Sequence, residues 1–145
     1  MTCLTNDGIF LGKSDDGLGE NQYLPLKWGN RHGLVAGATG TGKTVTLQVL
    51  TEGFSNAGVP VFLADAKGDL SGLSRISDKQ DFLTKRAGAI GFTDEYEGIA
   101  FPAVFWDLFG EQGHPVRTTI SEIGPLLLSR MLELNDTQEG VMNIA

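Results

Sequence analysis

Four residues, Gly37, Gly42, Lys43 and Thr44, fill every fixed position of G-x-x-x-x-G-K-[ST] in "GATGTGKT" (Gly37–Thr44). Glycines at this spacing let the backbone curl so that successive N–H groups point inward, which is a cradle for phosphate oxygens. A helix starting near Gly42 would add its positive end to the same anion. Lys43 has the length to reach β- and γ-phosphates, and the Thr44 hydroxyl suits Mg²⁺. Gly40 adds freedom, while Ala38, Thr39 and Thr41 are small and keep the approach open. The segment Gly37–Thr44 is therefore read as a nucleotide site for ATP and Mg²⁺, with Lys43 the catalytic cation and Thr44 the metal ligand.

Phosphate binding does not fix the reaction. Hydrolysis needs a carboxylate to hold the metal's water shell and a group to orient the attacking water. Three sources are open. Asp65 ends an apolar run in "FLADAKGDL" and is read either as a tentative metal ligand or as a turn cap. Asp107 in "AVFWDLFGE" mimics the same role, but Leu108 rather than a second acid follows it. The third source lies beyond Ala145, because "DTQE" (Asp136–Glu139) resembles a capping box and the sequence stops just inside the helix it would open. A GTPase reading of the D-x-x-G at Asp65–Gly68 fails on spacing: Asp65 follows Thr44 by 21 positions (65 − 44), and no N-K-x-D is present. His32 and His114 have no Cys or carboxylate at ligand spacing.

The elements needed to position this loop are legible around it. "HGLVAG" (His32–Gly37) is an apolar strand entering the loop, and Leu47, Leu50 and Phe54 recur on one helix face behind it, up to "SNAG" (Ser55–Gly58). "VPVFLAD" (Val59–Asp65) is a continuous apolar run, as in a buried parallel strand. Together they predict a βαβ unit with a right-handed crossover. Upstream, "GIFLG" and "QYLPLKW" are short strands. Downstream, a short helix is expected near 78–86, a strand at Ile99–Phe109, and a helix over Gly124–Leu134 with Pro125 in its first turn. The expected fold class is α/β, a RecA-like P-loop NTPase with a mostly parallel sheet flanked by helices. It is read as an incomplete domain, with residues 1–30 a β-rich segment and 31–145 the ATPase part.

Composition narrows the partners. With 41% hydrophobic and 20% charged residues the chain can bury a core, while a net charge of −7 argues against a broad nucleic-acid-binding surface. One cysteine, no signal sequence and no apolar run of membrane-spanning length fit a cytoplasmic protein with no membrane partner.

"NRHGLVAGATGTGKTVTLQVL" (Asn30–Leu50), "GVPVFLADAKGDLSGL" (Gly58–Leu73) and the stretch Val104–Val141 resemble bacterial HerA-like P-loop ATPases of the YjgR type, in the HerA–FtsK branch. The chain would be their N-terminal portion. The resemblance implies a motor or helicase-type ATPase, often a hexameric ring, acting on DNA, with its Walker B acids and sensor downstream. Two rivals are a small P-loop kinase, for which Arg75, Arg86, Arg117 and Arg130 are too scattered to form a lid, and a regulatory module that binds nucleotide without hydrolysing it.

Overall fold

The computed structural model describes residues 7–14, 19–77, 81–90 and 98–144. It divides into two compact units, Met1–Ala103 and Val104–Ala145.

In the first unit, β1 (Gly8–Lys13) and β2 (Asn21–Pro25) form an antiparallel hairpin. A bulge between Phe10 and Gly12 shifts the register, and Phe10 meets its partner Tyr23 edge to face at 5.4 Å. Strand β1 is the one expected at "GIFLG"; of "QYLPLKW" only residues 22–25 are strand, and Leu26–Trp28 turns into a short 3-10 helix. Helix α1 (Lys43–Asn56) follows the glycine loop, as predicted. It ends where "SNAG" indicated, with Gly58 left-handed (φ 75°) and Val59 N–H returning to the Phe54 carbonyl at 2.9 Å.

The buried point of α1 is Gly53 rather than the Leu47–Leu50–Phe54 stripe: Leu47 is exposed, Leu50 and Phe54 are half-buried, and Ile9 of β1 is fully buried against Gly53. The hairpin therefore packs on the helix that follows the glycine loop, within the same compact unit. Helix α2 (Asp81–Ile90) covers the described part of the helix expected near 78–86 and runs on to Ile90; residues 78–80 lie outside the described residues.

Among the described residues, neither 32–37 nor 59–65 carries a ladder, so the expected parallel pairing of these two runs is not formed. A parallel strand is defined by neighbours that take its N–H and C=O groups and cover both its faces. Here Leu34 is 90% and Phe62 88% exposed, so the apolar character of both runs is on the surface.

In the second unit, the Ile99–Phe109 run shortens to β3 (Trp106–Asp107), paired in parallel with β4 (His114–Pro115). Helix α3 (Ile120–Met131) opens with a capping box: Thr119 Oγ1 accepts from Glu122 N–H at 3.3 Å, and Glu122 Oε2 accepts from Thr119 N–H at 3.1 Å. Gly124 then interrupts it (φ 71°, ψ 163°), and Pro125 starts the longer part, the first-turn place expected for it. Helix α4 (Asp136–Ile144) is capped by Asn135 with Gln138, each side chain bonding the other's N–H at 3.0 Å. The box thus sits one residue before the expected Asp136–Glu139, because the amide of Gln138 can reach back where Glu139 is already inside the helix.

Candidate functional site

The loop predicted to hold phosphate is folded around one carbonyl. Ala38 O accepts from Thr41 Oγ1 at 2.8 Å, from Thr41 N–H at 3.4 Å and from Lys43 Nζ at 2.7 Å. Gly40 (φ 82°) and Gly42 (φ 95°) are left-handed, the conformation that turns consecutive N–H groups to one side. A Cβ on Gly37 would stand 2.5 Å from Thr41 Oγ1 and would have to displace that hydroxyl from its bond to the Ala38 carbonyl.

Helix α1 starts directly from this turn. Gly42 is its N-cap, and no side chain caps it. The first intrahelical bond in this region is Thr46 N–H to Gly42 O at 2.9 Å, which leaves the amides of Lys43, Thr44 and Val45 without an intrahelical acceptor. These donors and the positive end of the helix dipole face the glycine turn. The threonines of α1 differ in a telling way. Thr46 and Thr51 return their hydroxyls to the Gly42 and Leu47 carbonyls, at 3.1 and 2.8 Å. The Thr44 hydroxyl makes no hydrogen bond among the described residues and is available to a metal or its water. The structure thus brings Gly37, Ala38, Thr39, Gly40, Thr41, Gly42, Lys43 and Thr44 together as one turn at a helix N-terminus.

Asp65 lies in the loop after the second apolar run, and its carboxylate organises that loop. Oδ2 accepts from Leu70 N–H at 2.9 Å; Oδ1 accepts from Gly68 and Lys67 N–H at 2.8 and 3.2 Å. The Leu70 amide foremost, with the others, holds the carboxyl below the usual carboxylate range, against a smaller opposing effect of burial. This is the turn-capping alternative made concrete. A metal contact at Asp65 would have to use lone pairs left over from three backbone bonds.

Asp107 repeats the device in the second unit. Its Oδ2 accepts from Glu111 and Gln112 N–H at 2.8 and 3.0 Å, and its Oδ1 from Phe109 N–H at 3.1 Å. Gln112 leads the three amides that depress this carboxyl. The loop so formed brings His114 back beside Trp106, their rings 6.2 Å apart. Asp107 is the strand-end aspartate of a folded loop. Among the described residues, no group of three or more His, Cys, Asp or Glu side chains could hold a metal ion.

One relationship escaped the sequence. Gln48, in the second turn of α1, donates from Nε2 to the Asp69 carbonyl at 3.2 Å and ties the helix to the Asp65–Leu70 loop. A half-buried glutamine in an amphipathic helix carries no signal of its partner.

Among the described residues, no helix is long and apolar enough to cross a membrane. Over residues 11–145 the chain matches the family model described as helicase HerA-like C-terminal. The matched model is the C-terminal one, which replaces the reading of the chain as an N-terminal portion. Neither the curated proteins nor the solved structures gave a match.

Proposed function

The chain belongs to the helicase HerA-like C-terminal family, and from that premise we propose that it binds ATP and Mg²⁺ at Gly37–Thr44 as part of a RecA-like motor ATPase. The observation that carries this reading is the uncapped N-terminus of α1, set behind two left-handed glycines and flanked by Lys43 and Thr44.

In this reading the amides of Lys43, Thr44 and Val45 bind phosphate oxygens. Lys43 exchanges the Ala38 carbonyl for charge on the β- and γ-phosphates, which grows in the transition state. Thr44 gives its hydroxyl to Mg²⁺, which when bound neutralises charge on the same phosphates. Action on DNA, a hexameric ring and the YjgR-type subgroup are proposals that rest on family resemblance. The net charge of −7 gives DNA binding no separate support.

A second reading has its own observation. Asp65 and Asp107 are each engaged by three backbone amides, which favours a nucleotide-binding module that these two acids do not make hydrolytic. Steady release of phosphate from ATP separates the two readings.

The binding site itself is tested by displacement of a fluorescent ATP analogue. ATP should displace it best, ADP less well and AMP should fail, because the contacts are to the β- and γ-phosphates. Equal displacement by AMP would contradict a phosphate-directed site.

A further inference from the structure

The peptide unit between Asp69 and Leu70 is held at both ends. Its N–H, on Leu70, is bonded to Asp65 Oδ2 at 2.9 Å, inside the loop. Its C=O, on Asp69, is bonded to Gln48 Nε2 at 3.2 Å, from the helix. The Leu70 side chain is buried, which fixes the same point a third time. Gln48 lies five residues after Lys43, roughly 7.5 Å along the helix axis. The clamped peptide therefore stands beside the first turns of the helix whose N-terminus forms the phosphate site.

We propose that Gln48 is a positioning residue that transmits occupation of the Gly37–Thr44 turn to the Asp65–Leu70 loop. This inference rests on the nucleotide reading. Any shift of α1 as its N-terminal amides and Lys43 engage phosphate moves the Gln48 amide. Gln48 then pulls on a peptide that cannot slip, because its other face is pinned by Asp65. The Asp69 carbonyl only accepts, so position 48 must donate. The loop's own order comes from Asp65 and persists without Gln48; what Gln48 adds is the link to the site.

The test is amide exchange at Lys67, Gly68 and Leu70, read with and without Mg–ATP, in the chain and in three variants. Mg–ATP should slow exchange at these amides severalfold. Gln48→Met, which keeps the shape and removes the donor, should bind Mg–ATP yet lose that response, and so should Gln48→Glu. Gln48→Lys restores a donor and should recover it. A strut with a purely structural role would raise exchange by the same factor, about fivefold for one ordinary hydrogen bond, whether or not nucleotide is present. That result, or a response that survives in Gln48→Met, overturns the proposal. Absence of protection at the amides of Lys43 and Thr44 in the unsubstituted chain would remove the nucleotide reading and this inference with it.

Discussion

Ile9 of the hairpin lies so close to Gly53 of α1 that a Cβ on the glycine would stand 2.5 Å from Ile9 Cγ2, 2.7 Å from Cγ1 and 2.9 Å from Cδ1. Three atoms of one fully buried side chain cannot all move aside cheaply. Gly53→Ala gains roughly 1 kcal/mol of helix propensity and incurs an overpacking cost of about 1–3 kcal/mol. The expected outcome is a net loss of stability, and the loss should shrink when Ile9→Ala, which removes all three crowding atoms, is already present. Urea midpoints of the two single variants and the double variant measure this. A stabilised Gly53→Ala would mean that the hairpin does not dock on α1.

Acid should loosen the two aspartate-centred loops. Both carboxyls are depressed below the ordinary value of 3.8 by backbone amides, led by Leu70 for Asp65 and by Gln112 for Asp107. A depressed carboxylate contributes stability that is complete above its unfolded value and is lost as pH falls through the folded one. Loosening should therefore begin only as pH falls below about 4 and be complete only below the depressed folded values. In Asp65→Asn and Asp107→Asn this acid transition should disappear from the loop that carries the change and remain in the other. Amide exchange followed against pH checks the assignment loop by loop.

Glu52 has the opposite sign. Burial in α1 raises its carboxyl above the ordinary 4.5. The folded chain then holds this proton more tightly than the unfolded one, so stability falls as pH rises from about 4.5 through the folded value, and stays lower above it. Glu52→Gln keeps the shape and removes the charge. It should raise the melting temperature at neutral pH and leave it nearly unchanged near pH 4. A lower Tm at neutral pH would show that the ionised form has a partner that stabilises it.

The local grammar of the sequence was readable where a single residue type determines the conformation. The glycine loop, the helix behind it, its stop at Gly58 and Pro125 in a first turn followed from residues whose backbone options are few. Asp65 was legible as a turn-capping alternative and Asp107 as an acid with no second acid behind it, but only the hydrogen bonds show how completely each carboxylate is taken up by its own loop. Longer-range relationships were not legible. The runs 32–37 and 59–65 have the composition of buried parallel strands, yet among the described residues they have no ladder partner, and composition does not say which strand lies beside which. Gly53 was hidden for a different reason: the pattern of large apolar residues marks a helix face, while the closest approach on α1 is made where a side chain is missing. The Gln48–Asp69 tie joins positions 21 apart through an ordinary glutamine.

The central claim is that the turn Gly37–Thr44 binds nucleotide phosphates through Lys43 and the N-terminal amides of α1. Titration calorimetry with Mg–ATP on the chain and on Lys43→Ala tests it most directly. Among the described residues the Lys43 ammonium bonds the Ala38 carbonyl alone, at 2.7 Å, and it is not part of the packed core, so the variant should fold with unchanged helix content. The account predicts a saturable heat for the unsubstituted chain and a loss of at least tenfold in affinity for Lys43→Ala, in line with removal of one charge-assisted contact. Equal affinity in the two folded proteins would contradict it.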